Sequence, residues 1–410
     1  QIARYCFEKN IAITPRGAGS GLSGGSIPAY GGAVLSLERM NRILEIDTEN
    51  LMVVVEPGVI TNDINRQLKS YSLFYAGYPM SLETCQIGGN VAENAGGGKA
   101  VKYGVTGNYV RGVEFVTATG EMVHFGGKVY KDVSSYDIVH LMVGSEGTLG
   151  IITKIYLKFI PLPKERIVLL APFDAVDQAL RLPVILLNEM AVLPTSLEFM
   201  NRESLEFTYK YCNRSYPFPE AKSHILVEID GDDEERVFSL SEKIGNRLFD
   251  VGAKEVYMAD DSVLIEEIWK MRRAVPEAIH LALPVEMNED ISVPIQKIGD
   301  VLFIIKELSQ QYHLFSPVYG HIGDGNLHVT LAPKRNEDWK KNEPVIRKRF
   351  YGRVKELGGV LSGEHGVGLK RRDYLSQFYS REEINLMRNI KRAFDPKGIL
   401  NPGKIFPDFE

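Results

Sequence analysis

Cysteine is scarce in this chain: Cys6, Cys85 and Cys212 are the only three in 410 residues. Their wide spacing offers no disulfide framework, and without a C-x-x-C pair the chain alone builds no iron–sulfur site; free thiols suit a reducing cytosol. A basic excess is lacking too, since the formal net charge is −5. That argues against nucleic acid as a partner, because such binding rests on Lys and Arg neutralising phosphates. No apolar run approaches the roughly 18–20 residues that span a bilayer. The longest candidates, Val168-Leu169-Leu170 and Val301-Leu302-Phe303-Ile304-Ile305, have the length of core elements. These absences predict a soluble, cytoplasmic protein, with peripheral attachment as its one route to a membrane. Haem motifs, internal repeats and low-complexity segments are also missing, and none of the eight histidines precedes position 124.

What is present suits two or three domains, because 410 residues that are 44% hydrophobic can bury more than one core. Gln1 to Glu8 reads as the middle of an amphipathic helix, so the expectation is a chain whose natural N-terminus lies further upstream, along with any targeting signal. From Ile11 to about Phe159, short β-branched runs alternate with glycine turns. The proline-rich Pro161-Leu162-Pro163 marks a boundary. Beyond it the spacing predicts helices near 174–190, 232–249, 261–282, 295–312, 336–357 and 381–394, interleaved with strands such as Ser196 to Phe199, Ile225 to Ile229 and Leu327 to Leu331: an α+β domain with a mostly antiparallel sheet.

The stretch GAGSGLSGG, residues 17–25, contains a literal G-x-G-x-x-G in Gly19, Gly21 and Gly24 after the strand-like Ile11-Ala12-Ile13-Thr14. A nicotinamide fingerprint would open a helix here. Instead Ser26-Ile27-Pro28-Ala29-Tyr30-Gly31-Gly32 breaks helices, and Ala33-Val34-Leu35-Ser36-Leu37 reads as a second strand, so the fold is not the Rossmann one. A strand–glycine loop–strand unit can still cradle phosphate with backbone N–H groups. On the motif alone, a ligand-free surface loop is the other reading. Two further segments, CQIGGNVAENAGGGKAVKYG over 85–104 and GSEGTLGI over 144–151, repeat the demand for small residues. A flat ring system with a diphosphate tail needs several such surfaces; close strand packing is the alternative.

PRGAGSGLSGG, IGGNVAENAGG followed by KYG, GSEGTLGI, and the closing RAFDPKGILNPGK together resemble the FAD-linked oxidases of the vanillyl-alcohol oxidase type, in the branch of D-lactate dehydrogenase, D-2-hydroxyglutarate dehydrogenase and the D subunit of glycolate oxidase. The resemblance implies a two-part FAD-binding domain over 1–162, incomplete at its N-terminus. An α+β substrate and metal domain over 163–375 would follow, and then a helical segment over 376–410 returning to the flavin. Implied FAD contacts are Pro15, Arg16, Gly17, Ala18, Gly19, Ser20, Gly21 and Leu22 in the first loop. Pro79, Ser81, Gly88, Gly89, Asn90, Ala92, Asn94, Ala95, Gly96, Gly97, Tyr103 and Gly104 follow, then Glu146, Gly150, Ile151, Ile152 and Asn401. Relatives with covalently bound flavin carry a histidine where Ser20 stands, so the implied FAD is not attached to histidine.

GHIGDGNLH, residues 320–328, sets His321 and His328 on either side of a Gly323-Asp324-Gly325-Asn326 turn, and Gly363-Glu364-His365-Gly366 adds a carboxylate and a third imidazole. Two histidines and a carboxylate suit zinc and other first-row divalent ions with positions left open; packing or surface histidines are the alternative. The resemblance makes His321, His328 and Glu364 metal ligands, with zinc foremost and manganese or iron as alternatives. It also makes His365 the base that takes the substrate hydroxyl proton. Arg272, with Arg273 as the neighbouring register, becomes the partner of the substrate carboxylate. The family lysine that binds a second carboxylate falls near Asn288, which favours D-lactate over 2-hydroxyglutarate, with glycolate as a further alternative. Electrons would pass to oxygen, a quinone, an electron-transferring flavoprotein or an iron–sulfur subunit, and a homo-oligomer is compatible with the sequence. A metallohydrolase would leave the three glycine segments unexplained. A non-catalytic flavin subunit would not need the metal set, which is complete here.

Overall fold

The computed structural model describes residues 1–335 and 338–407. The chain divides into two compact units, one formed by 1–97, 104–162 and 364–410, the other by 98–103 and 163–363. The change of unit after Leu162 falls at the proline-rich boundary. The second unit closes at Gly363, however, rather than at the expected residue 375, and 364–375 joins the C-terminal segment in the first unit.

In the first unit, Ile13–Arg16 and Ala33–Ser36 pair in parallel, with Ile13 opposite Ala33. No helix occurs between them, as the breakers at 26–32 require. The C-terminal segment supplies the missing partner of this pair: the Ile13 N–H donates to the Ile399 carbonyl at 2.7 Å, and the Asn401 N–H donates to the Ile13 carbonyl at 2.7 Å. Ala3, Cys6, Ile13, Ala118, Ile151, Ile399 and Leu400 close the core around that junction. A five-stranded antiparallel sheet lies alongside in the order 43–47, 52–55, 151–158, 110–116, 122–126. Its second strand, Met52–Val55, is buried at every position, and Gly120 turns the 110–116/122–126 hairpin at φ +91°, where a Cβ would be strained.

The last helix, Arg381–Phe394, starts at a capping box written in the sequence as Ser380-x-x-Glu383. The Glu383 N–H donates to Ser380 Oγ at 3.2 Å, and the Ser380 N–H donates to the Glu383 carboxylate at 2.7 Å. The helix ends at Asp395, which is 1% exposed. Its carboxylate accepts from Ile399 N at 3.1 Å and Leu400 N at 2.7 Å and pairs with the Lys391 ammonium.

The second unit is built on an antiparallel sheet in the order 257–259, 165–173, 223–231, 196–201, 318–321, 326–333, 287–292, with 314–315 beside 326–333. Most expected helices appear close to their expected limits, as Glu234–Asp250, Ser262–Ala282, Ile298–Tyr312 and Trp339–Glu356; residues 336 and 337, the start of the expected 336–357 helix, lie outside the described residues. The helix expected over 174–190 is instead broken into 176–179, 182–184 and 185–189, and Pro183 stands at the break. Asp261 caps Ser262–Ala282 by accepting from the N–H groups of Val263 and Leu264, both at 2.9 Å. The buried stripe of this helix runs Ile265, Ile268, Trp269, Arg272, Val275, Ile279, the helical period with an arginine in the middle. Among the described residues, no helix is long and apolar enough to cross a membrane.

Because removing the buried Asp395 carboxylate leaves the Lys391 ammonium with only the Thr148 and Leu400 carbonyls and no counter-charge, and leaves two backbone donors unpaired, Asp395→Ala should lower the unfolding free energy by about 3 kcal/mol. Urea denaturation followed by circular dichroism reads this out.

Candidate functional site

The three glycine segments of the first unit converge. Gly17 lies beside Gln86, the residue that precedes the helix Ile87–Glu93; a Cβ on Gly17 would come 3.0 Å from Gln86 Oε1. The Glu146 N–H donates to the Ala92 carbonyl at 2.8 Å, and the Gly144 N–H donates to that of Val91 at 2.9 Å. Asn401 reaches both ends of the arrangement, its Nδ2 donating to the Gly25 carbonyl at 2.9 Å and to the Glu146 carbonyl at 2.8 Å.

Small residues serve two purposes here. Gly88 abuts Pro57, Gly97 abuts the Tyr78 carbonyl, Gly104 abuts Asn108 and Gly150 abuts the Phe115 ring, so a Cβ at any of them would collide with protein. Gly89 differs: a Cβ there would meet nothing within 4 Å. Gly19, Ser20, Gly21 and Leu22 are exposed in the first loop, with Arg16 folded over Gly19. Gln86 Oε1, Ser145 Oγ and Asn401 Oδ1 are buried without a hydrogen-bond partner. An open glycine surface bordered by unsatisfied polar atoms fits a polar, flat ligand such as FAD.

Several implied contacts have side chains already engaged by protein. Asn90 Nδ2 donates to Thr61 Oγ1 at 2.7 Å, and Asn94, at φ 51°, accepts from the Gly107 N–H at 2.8 Å. Tyr103 belongs to the second unit, where its hydroxyl sits 2.9 Å from Asp230 Oδ1 beside the Lys102 ammonium. Pro15 ends the first strand; Ala18 is half-buried in the loop beyond it; Pro79 is half-buried and Ser81 exposed near the Gly97 contact; Ala95 and Gly96 follow Asn94. Ile151 and Ile152 open the buried strand 151–158.

Glu146 also pins the loop that carries Glu364 and His365. Its Oε1 accepts from the Val367 N–H at 2.8 Å and its Oε2 from the Gly368 N–H at 2.7 Å. A Cβ on Gly96 would lie 3.0 Å from Glu364 Oε2. His365 Nε2 is 3.7 Å from Glu364 Oε1, both side chains being mostly buried. Glu93, absent from the sequence reading, accepts from Ser23 Oγ at 2.9 Å and has its carboxyl against Gly366. Burial, then the nearby Glu146, pushes the Glu93 carboxyl up to about 8 against the opposing pull of Ser23 and Arg371.

In the second unit a row of polar side chains shares one face of the sheet. The turn at Ile322–Gly325, with Gly325 at φ +85°, folds the hairpin so that His321 faces Asn326 and His328 faces Tyr319. The rings of His321 and His328 lie perpendicular with centroids 5.4 Å apart. On one side, Asp290 pairs across the strands with His328, their Oδ1 and Nδ1 3.7 Å apart. Asp290 also accepts from Asn326 Nδ2 at 2.7 Å, Ser362 Oγ at 2.8 Å and the Gly363 N–H at 3.0 Å, which fixes the residue preceding Glu364. On the other side, Glu198 faces His321, whose Nδ1 donates to Glu198 Oε1 at 2.6 Å. Arg272 donates to Glu198 Oε2 from Nε at 2.8 Å, and its Cζ stands 4.9 Å from the Tyr319 ring centroid. Burial raises the Glu198 carboxyl, yet attraction to His321 and Arg272 outweighs it and holds the carboxyl below its usual range. Arg273 instead pairs with Glu266, a third exposed.

Next to this row, fully buried Glu228 meets Lys99 at 2.9 Å, Arg166 at 3.0 Å and Trp269 Nε1 at 2.6 Å. Glu198, Asp290 and Glu228 were not anticipated from the sequence; for Glu198 and Glu228 the available signal was a carboxylate between apolar neighbours, as in Leu197-Glu198-Phe199 and Val227-Glu228-Ile229, whereas Asp290 lies in the polar strand Met287–Ser292 and carried no such signal. Two imidazoles at this spacing, with Nδ1 of His321 committed to a carboxylate, form a donor set suited to a divalent ion, and a buried guanidinium beside them suits an anionic group.

The profile of the family described as "FAD linked oxidases, C-terminal domain" matches residues 162–405, and that described as "FAD binding domain" matches residues 1–126. The chain is 39% identical over 409 residues to glycolate oxidase subunit GlcD of Bacillus subtilis (strain 168), covering 99% of this chain and 86% of that protein. It is 38% identical over 412 residues to D-lactate dehydrogenase of Anaerostipes hadrus, covering 98% and 86%. Among solved structures, 4-ethylphenol oxidase from Gulosibacter chungangensis shares the fold, with a TM-score of 0.78 at 18% identity over 99% of this chain and 87% of that one.

Two expectations follow. Gly89→Val fills space that protein does not occupy, so it should leave circular dichroism unchanged while removing most of the bound FAD; retention of normal flavin absorbance would take Gly89 out of the cofactor surface. Glu93 binds its proton in the folded state up to about 8 but only to the ordinary 4.5 when unfolded. Its stabilising contribution is therefore complete below pH 4.5 and lost as pH rises through 8. Between those values the melting temperature of the wild type should fall relative to that of Glu93→Gln, measured by thermal denaturation across the range.

Proposed function

The chain belongs to the FAD-linked oxidases, and from that membership we propose that it oxidises a small D-2-hydroxy acid, D-lactate foremost, to the corresponding 2-oxo acid. The observation that carries this reading is the buried row in which two imidazoles on one hairpin stand beside a guanidinium that is 2% exposed. Arg272 binds the substrate carboxylate, its orientation held by Glu198 on one edge and by the Tyr319 ring. His365 takes the hydroxyl proton, for which imidazole is suited near neutral pH. His321, His328 and Glu364 would hold a divalent ion, zinc foremost, whose chemistry is to lower the pKa of a hydroxyl bound to it. FAD, bound without a link to histidine, would supply the hydride acceptor; with the hydroxyl proton going to His365, the substrate C–OH would become C=O. The electrons would then pass to an acceptor outside this chain: oxygen, a quinone, an electron-transferring flavoprotein or an iron–sulfur subunit, three dispersed cysteines offering no cluster site.

Asn288 supports a monocarboxylate. It pairs across the strands with Thr330, two residues from Asp290 and on the same face, and its amide places no positive charge where a second carboxylate would need one. Glycolate is the second reading, favoured by the similarity to the Bacillus protein, which matches that to the D-lactate dehydrogenase.

Anaerobic mixing with D-lactate, glycolate and D-2-hydroxyglutarate tests the proposal: flavin absorbance should bleach fastest with D-lactate and slowest with the diacid. His321→Ala should lose bound zinc, whereas His365→Ala should keep zinc and FAD yet bleach slower by a factor on the order of 100 to 10,000, the usual weight of a general base. Preference for the diacid, or loss of zinc from His365→Ala as complete as from His321→Ala, contradicts this assignment.

A further inference from the structure

One buried carboxylate touches both halves of the proposed site. Glu198 is inaccessible to solvent and sits on the central strand Ser196–Asn201, directly across from His321. Its two oxygens have separate duties: Oε1 receives the His321 Nδ1–H at 2.6 Å, while Oε2 receives the Arg272 Nε–H at 2.8 Å and stands in ion-pair contact with Nη2 at 2.6 Å. Nothing in the substrate chemistry requires a carboxylate here, and a buried carboxylate repels the anionic substrate that Arg272 would bind. A geometric role resolves that conflict. With Nδ1 held as the donor, the lone pair of His321 is confined to Nε2 on the opposite edge of the ring. With the Nε–H given to Oε2 and Nη2 in ion-pair contact with the same oxygen, the guanidinium is anchored along one edge, and the rest of its donor fork faces away from Glu198.

We infer that Glu198 is a positioning residue that sets two affinities at once, that of the His321 site for a divalent ion and that of Arg272 for the substrate carboxylate. This rests on the function proposed above and adds to it a link between the metal ligand and the substrate arginine. Cross-strand pairing makes the link stiff, because the backbone that carries Glu198 is hydrogen-bonded to the backbone that carries His321.

The test uses the flavin-loaded full chain, stripped with a chelator and titrated with zinc alone against a chromogenic competitor. Glu198→Gln keeps the shape but not the charge, and it should weaken zinc binding about 10- to 100-fold, the usual effect of losing such an outer partner, with FAD content unchanged. KM for D-lactate should rise by a larger factor than kcat falls. Glu198→Asp keeps the charge but falls one methylene short of serving both partners; it should restore the melting temperature more fully than it restores zinc affinity. Wild-type zinc affinity in a flavin-loaded Glu198→Gln protein overturns the inference while leaving the metal site itself standing, provided that His321→Ala still loses zinc. If His321→Ala binds zinc as tightly as wild type, the metal reading fails first and takes this inference with it. Loss of FAD and of folded structure in both Glu198 variants would make Glu198 a fold residue and would equally overturn the inference.

Discussion

A charge buried without a partner costs several kcal/mol, and the second unit is organised around meeting that cost. Glu198, Glu228 and Asp290 are wholly inaccessible, and Arg272 is 2% exposed. At that burial none of them reaches water. Every one of them is met across strands or from a helix: Glu198 by His321 and Arg272, Glu228 by Lys99, Arg166 and Trp269, Asp290 by Asn326, Ser362 and Gly363. The register of the sheet is thereby specified twice, once by the pleat and once by charge. A slip of one residue in any of these strands would turn its carboxylate to the opposite face and leave its partners behind.

The same accounting explains why the small residues of the first unit read so clearly in sequence while their purposes did not. A glycine required by a neighbouring proline, as at Gly88, and a glycine facing open space, as at Gly89, are the same letter one position apart. The sequence pattern locates the surface on which a ligand can lie. Only the three-dimensional surroundings separate the positions that pack from those that stay clear.

Much of the candidate site was legible because its signals are local. The GDGN turn announced that His321 and His328 would fold back on one another, and the helical period of 262–282 explains why Arg272, rather than Arg273, turns inward. The strands and the final helix follow from period, and the boundary at 162 from proline. What escaped was non-local: Glu198 and His321 are 123 residues apart. A lone glutamate in an apolar strand announces that it needs a partner without saying which one. The end of the second unit at Gly363 escaped for a related reason, since the backbone donors of Val367 and Gly368 belong to Glu146, more than 220 residues upstream.

The strand that begins the first unit is completed by the end of the chain, Ile13 pairing with Ile399 and Leu400, while 163–363 form a unit of their own in between. On a ribosome this order matters. At roughly 5–20 residues per second, the N-terminal strand waits on the order of tens of seconds for its partner to be synthesised. By the end of that interval, once residue 363 has been added, the second unit has its whole sequence to fold with, whereas the first still has an open edge around Ile13. The nascent chain therefore finishes its inserted domain before its first one, and the edge left waiting is where a chaperone would have reason to bind.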